Sequence, residues 1–107
     1  MTITITITPD ITTLVNVLTV DPENQTKLLE SLRTNTDNVV SQLPGWISTS
    51  FVVSHDKRRV VIYSQWRDLA SIRAMQSHPQ MRACFPQVAA LASFDSISGD
   101  VAYSRNA

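Results

Sequence analysis

The chain predicts an α+β domain, and three observations carry that reading. Runs rich in β-branched and apolar residues occur at 12–20, 46–54 and 58–66, each with the spacing of a strand. Two longer stretches repeat apolar residues at helical spacing. Turn and cap residues separate these pieces in the order strand, helix, strand, strand, helix, strand.

Residues 12–20 alternate as a half-buried strand does. Leu14, Asn16, Leu18 and Val20 share one face, and Val15 and Val17 take the other. Asp21-Pro22 marks a helix start, with aspartate as cap and proline at the first helical position. Leu28, Leu29, Leu32, Thr36, Val39, Val40 and Leu43 form one stripe, which Pro44-Gly45 ends. Trp46–Ser54 and Arg58–Trp66 read as a hairpin around His55-Asp56-Lys57, which leaves His55 in solvent. Asp68 caps a second helix whose apolar side is Leu69, Ile72 and Met75. The His78-Pro79 step interrupts it, because a residue before proline is pushed out of the helical region. Helix resumes at Pro79 towards Leu91, with a kink or second restart expected at Pro86. Ile97–Tyr103 is the expected last strand, bent or bulged at Gly99.

This order is that of a ferredoxin-like βαββαβ fold, an antiparallel sheet with both helices on one face. The other face then exposes Val15, Val17 and alternate hairpin residues, an apolar patch that monomers rarely carry. Dimerisation through that open sheet face is therefore expected, giving a homodimer. Residues 1–8 alternate threonine and isoleucine up to Pro9, so 1–10 are expected to be an N-terminal arm or an extra edge strand. Residues 11–107 make the single domain.

Composition limits the functions. The 107 residues leave room for one core, and 43% hydrophobic content suits a soluble globular protein. No apolar run approaches the ~20 residues that span a bilayer. The start also lacks the basic and apolar regions of a secretory signal. A cytoplasmic address without a membrane partner is expected. Nine basic and nine acidic residues cancel, and the only basic cluster, Lys57-Arg58-Arg59, falls at the hairpin turn, so nucleic acid is not an expected partner. The single cysteine, Cys84, leaves no internal disulfide and reads as a small buried hydrophobe, and no His/Cys spacing suggests a metal site.

Two residues stand out against this background. Asn16 interrupts the apolar run Leu14-Val15-Asn16-Val17-Leu18, and a buried amide is costly unless it is hydrogen-bonded. It is either bonded to a neighbouring loop or a polar group aimed into a pocket. Trp66 ends its strand with a large ring and an N–H that needs a partner, so it is either core, interface or pocket wall. Tyr63, three residues away, falls on the opposite face and is assigned with Trp46 to packing or the interface.

The chain resembles the antibiotic biosynthesis monooxygenase family over residues 12–103. Asn16 in the first strand, Leu43-Pro44-Gly45-Trp46 opening the second and Ser64-Gln65-Trp66-Arg67-Asp68 closing the third carry the resemblance. So does Met75-Gln76-Ser77-His78-Pro79-Gln80-Met81-Arg82. The family's cofactor-free anthrone oxygenases have an asparagine and a tryptophan where this chain has Asn16 and Trp66. The resemblance thus implies a dimeric α/β-barrel and a cofactor-independent monooxygenase that oxidises a planar phenolic or anthrone-type molecule with O₂. Asn16 and Trp66 would stabilise the oxyanion and the oxygen intermediate, and His78 would be the base. Leu14, Leu18, Arg82 and Phe85 would line the substrate site. The family's heme-degrading branch implies an alternative with His78 as iron ligand, although Pro79 sets His78 at a helix break rather than on a continuous helix. A non-catalytic dimeric domain that holds a small apolar ligand is the further alternative, since one shell hosts several chemistries.

Overall fold

The computed structural model describes residues 11–107, and the arm or strand expected over 1–10 lies outside the described residues. The elements are β1 (Thr12–Val20), α1 (Gln25–Asn38), β2 (Trp46–Val53), β3 (Arg59–Trp66), α2 (Leu69–Ser77), α3 (Pro79–Leu91) and β4 (Ala92–Gly99). The strands form one antiparallel sheet in the order β2-β3-β1-β4, with the helices over one face. This is the expected ferredoxin-like α+β arrangement.

Local chemistry explains most of the boundaries. The Pro44-Gly45 turn holds Gly45 at φ +86°, and its carbonyl accepts the Arg67 N–H at 2.7 Å. A Cβ there would collide with the Ser71 hydroxyl, so only glycine fits. At the hairpin, the Asp56 carboxylate accepts from the Ser54 hydroxyl at 2.6 Å and the Arg58 N–H at 2.9 Å, closing the turn. Asp68 caps α2, accepting from the Ser71 N–H at 2.8 Å and its hydroxyl at 2.7 Å. His78 is extended between α2 and α3, as the following proline requires.

Several expectations need correction. Asp21 makes no side-chain cap; Pro22–Asn24 is instead a 3₁₀ turn, and α1 starts at Gln25. The apolar stripe is not one helix, because α1 stops at Asn38 and Val40–Gln42 form a second 3₁₀ turn. No second restart occurs at Pro86, since α3 runs unbroken from Pro79 to Leu91. Pro86 is exposed there, so water can reach the carbonyl that its missing N–H leaves free. The last strand is Ala92–Gly99, not Ile97–Tyr103, and it follows α3 without a loop. Its register against β1 runs from Val20↔Ala92 to Thr13↔Gly99, so Gly99 ends the strand rather than bending it.

The core lies between sheet and helices in two clusters. One contains Leu14, Val40, Trp66, Ile72, Met75 and Met81; the other contains Leu18, Val20, Leu28, Leu32 and Val60. Leu14 and Leu18 belong to different clusters, and Asn16 stands between them on the same face of β1. A polar residue in the middle of the buried row divides the core. The opposite face carries Val15, Val17, Val61 and Tyr63, partly buried, with Val52 and Ile97 exposed.

Candidate active site

The division of the core leaves a cavity of about 340 Å³, within the ~300–1,000 Å³ range of small-molecule sites. Its floor is the helix-facing side of the sheet. Leu14, Asn16 and Leu18 come from β1, Ile62, Ser64 and Trp66 from β3, Thr49 from β2, and Phe94 and Ser96 from β4. In register, Asn16 sits between Ile62 and Ser96. An extra residue at Ile47 in β2 shifts the pairing, which brings both Trp46 and Thr49 to the helix side. The roof comes from α1 (Leu32, Asn35, Thr36), the turn residue Val40, α2 (Met75, Gln76) and α3 (Met81, Cys84, Phe85, Val88). Phe85, Phe94, Ser96 and Gln76 are exposed as well as lining, so the cavity opens there, beside α3 and the edge strand β4.

The polar groups on this apolar surface differ in how far they are satisfied. The Asn16 amide has no hydrogen-bond partner among the described residues, although it lines the cavity and is partly buried. Trp66 is 1% exposed, and its indole N–H is donated to the Ser64 hydroxyl at 3.1 Å. The Ser64 hydroxyl in turn donates to the Leu14 carbonyl at 3.4 Å. The expected free indole donor is therefore already engaged, and what Trp66 offers the cavity is ring surface. Cys84 is half-buried and lines the cavity, which corrects its reading as a small buried hydrophobe; its thiol donates to Asn35 Oδ1 at 3.0 Å.

The structure brings Leu14, Asn16, Leu18, Trp66 and Phe85 to one cavity and leaves His78 and Arg82 outside it. His78 caps α3, with Nδ1 accepting the Gln80 N–H at 3.2 Å. It borders a separate hollow of about 260 Å³, together with Arg67, Asp68 and Ala74. Arg82 is exposed and lines neither hollow. Among the described residues, Cys84 is the only titratable group on the main cavity's lining. None of them forms a cluster of three or more His, Cys, Asp or Glu able to hold a metal ion. His78 borders the other hollow, so it is not placed to ligate an iron held in the main cavity.

Some lining residues were missed from the sequence although a signal existed. Ser64 lies two residues before Trp66 and so must share its face. Met81, Cys84 and Val88 follow helical spacing with the expected Phe85 and share one side of α3. Asn35 has no such signal, because it sits among Thr34, Thr36, Asp37 and Asn38.

Comparison with known proteins agrees with this architecture. A family model described as antibiotic biosynthesis monooxygenase matches residues 11–87. Tetracenomycin-F1 monooxygenase from Streptomyces glaucescens is 42% identical over 82 residues, which are 77% of this chain and 73% of that protein. Among solved structures, a monooxygenase from the gene ActVA-Orf6 of Streptomyces coelicolor, in complex with Nanaomycin D, superposes with a TM-score of 0.81 at 20% identity. The match covers 90% of this chain and 91% of that one. SnoaB, a cofactor-independent oxygenase from Streptomyces nogalater, gives a TM-score of 0.76 at 18% identity, covering 89% and 96%. At these identities the structural likeness speaks for the fold alone.

Proposed function

The chain belongs to the antibiotic biosynthesis monooxygenase family, and from that membership we propose that it is a cofactor-independent monooxygenase. Its substrate is a planar phenolic or anthrone-type small molecule, oxidised by O₂ in the cavity between sheet and helices. The observation that carries this reading is the unpartnered Asn16 amide at the centre of a mostly apolar floor. The cofactor-independent character of SnoaB and the name of the 42%-identical relative support it.

An anthrone-type substrate carries its own reducing electrons. Loss of a proton from its acidic carbon gives an enolate-like anion, which reduces O₂. The CH₂ carbon gives up both hydrogens, one oxygen atom stays on it as a carbonyl, and the other leaves as water. No external reductant is needed. The chain's part is to hold the anion and keep water away. The Asn16 N–H bonds the developing oxyanion in a site where apolar walls strengthen the contact. Leu14, Leu18 and the Trp66 ring fix the plane of the substrate, which enters beside Phe85 and Phe94. With no carboxylate, imidazole or amine on the described lining, the substrate gives its proton to solvent at the open edge before it is buried, and His78, on the other hollow, takes no part in it.

The homodimer belongs to this proposal, its interface being the open face with Val15, Val17, Val61 and Tyr63. Val61→Arg should halve the mass seen in sedimentation; an unchanged mass would place the interface elsewhere. A cytoplasmic address is part of the same reading; among the described residues no helix is long and apolar enough to cross a membrane. Turnover with isotopically labelled O₂ tests the chemistry. One labelled atom in the product carbonyl and one in water is the expected result. Binding of the substrate without oxygen consumption would identify a ligand carrier instead.

A further inference from the structure

The cavity holds a second primary amide for which the proposed chemistry has no use. Asn35 lines it from α1, on the helical roof above the sheet that carries Asn16. Its side chain is held from α3 at two points. The Cys84 thiol donates to Oδ1 at 3.0 Å, and Nδ2 donates to Met81 Sδ at 3.5 Å. Met81 and Cys84 are three residues apart, so one side of α3 presents both sulfurs to the same amide. Contacts to thiol and thioether are weak, and what they contribute is a fixed orientation of the amide.

A primary amide has two N–H groups and two oxygen lone pairs. The sulfur contacts use one of each. The remaining N–H and the remaining lone pair have no partner among the described residues. The roof also carries the polar Thr36 and Gln76, and neither is hydrogen-bonded to Asn35. Half of an oriented, half-buried amide is thus left for a ligand to complete, and it discriminates between ligands that match it and ligands that do not.

We infer that Asn35 is a specificity-determining residue that reads the polar edge of the substrate, an edge bearing a phenolic hydroxyl that is not tied to a neighbouring carbonyl. The hydroxyl donates to the free lone pair, and an oxygen of the same edge accepts the free N–H. A carboxylate offers only acceptors, an ammonium only donors, and a bare ring neither. Cys84 and Met81 are positioning residues that hold the amide in place. The inference deepens the proposed substrate class and rests on that reading for the cavity being the substrate site.

Equilibrium binding under anaerobic conditions tests it, read by tryptophan fluorescence in mildly acidic buffer with 2-hydroxyanthraquinone, whose protonated hydroxyl is not tied to its own carbonyl, and unsubstituted anthraquinone as probes. Wild type should prefer the hydroxylated probe by about tenfold, the worth of one to two neutral hydrogen bonds. Asn35→Leu, close in shape, should abolish the preference while keeping the affinity for anthraquinone. Cys84→Ala should erode the preference, and Cys84→Ser, which keeps a donor, should retain it. Equal loss for both probes in Asn35→Leu would overturn the inference and leave Asn35 as packing between α1 and α3. No preference in wild type would overturn it without any variant, and so would a preference unchanged by Asn35→Leu. If Asn35→Leu does not fold, the contrast between Cys84→Ala and Cys84→Ser decides, and two variants with the same preference overturn it. Oxygen uptake is measured separately. A preference that depends on Asn35 without uptake keeps this inference and defeats the oxygenase; uptake without a preference does the reverse.

Discussion

The indole N–H of Trp66 is donated to the hydroxyl of Ser64, two residues earlier on the same face of β3, at 3.1 Å. Both side chains are buried, at 1% and 4% exposure. The pair closes the polar edge of the indole inside the cavity wall. Trp66 therefore shapes and dries the site, and the unpartnered Asn16 amide is the polar group left at the middle of the floor, with the exposed Ser96 at its open edge.

Ser64→Ala leaves the indole N–H buried without a partner and should cost about 1–3 kcal/mol in urea unfolding. Trp66→Phe added to it should cost less than the two single changes summed, because the orphaned donor disappears with the indole. Strict additivity would mean that the contact is not made in solution.

Gly45→Ala should destabilise strongly. The backbone is at φ +86°, where a side chain costs about 1–3 kcal/mol, and the added carbon meets the Ser71 hydroxyl that also binds Asp68. Gly45→Ala combined with Ser71→Gly should recover the part due to collision and keep the part due to strain. Thermal unfolding of both variants measures each.

The hydroxyl and N–H of Ser71, with Arg67 beside them, hold the Asp68 carboxyl below its usual range. Hydrogen bonds from Ser54 and Arg58 do the same for Asp56. A carboxyl lowered in the folded state adds stability that is complete above its unfolded pKa and is lost as pH falls through the folded value. Asp68→Asn should therefore melt below wild type at neutral pH, and the gap should close in acid. A gap that is constant down to full protonation would show that the charge plays no part in the cap.

The rate should follow the ionisation of the substrate. With Cys84 the only titratable group on the described lining, kcat/KM should rise along a single limb set by the substrate's own acidity. A more acidic anthrone should shift the limb downwards, and His78→Ala should leave it in place. A limb that stays fixed across substrates would point to a base on the protein.

The parts legible in the sequence are those in which burial imposes a period. Leu14, Asn16, Leu18 and Val20 alternate because one face of β1 is covered, and the same constraint makes the hairpin readable. His78-Pro79 is readable because proline acts locally. The strand Ala92–Gly99 was hidden because it is an edge strand with one partner and almost every residue exposed. Its larger apolar residues, Phe94 and Ile97, fall on opposite faces, so no alternation is left to see. The site divides in the same way. Asn16 showed itself by contrast with its apolar neighbours, whereas Asn35 lies in a polar stretch and gains its place only when α3 packs against α1. His78 was drawn in by resemblance, and three-dimensional placement puts it on the other hollow.

The most direct measurement is oxygen uptake by chelator-treated protein given dithranol, a simple anthrone, for wild type and Asn16→Ala. Uptake well above the spontaneous rate, reduced about 10²–10³-fold in Asn16→Ala as for a lost oxyanion donor, is the predicted result. Uptake no faster than without protein, or equal in the two proteins, would contradict the assignment of cofactor-free oxygenation to Asn16.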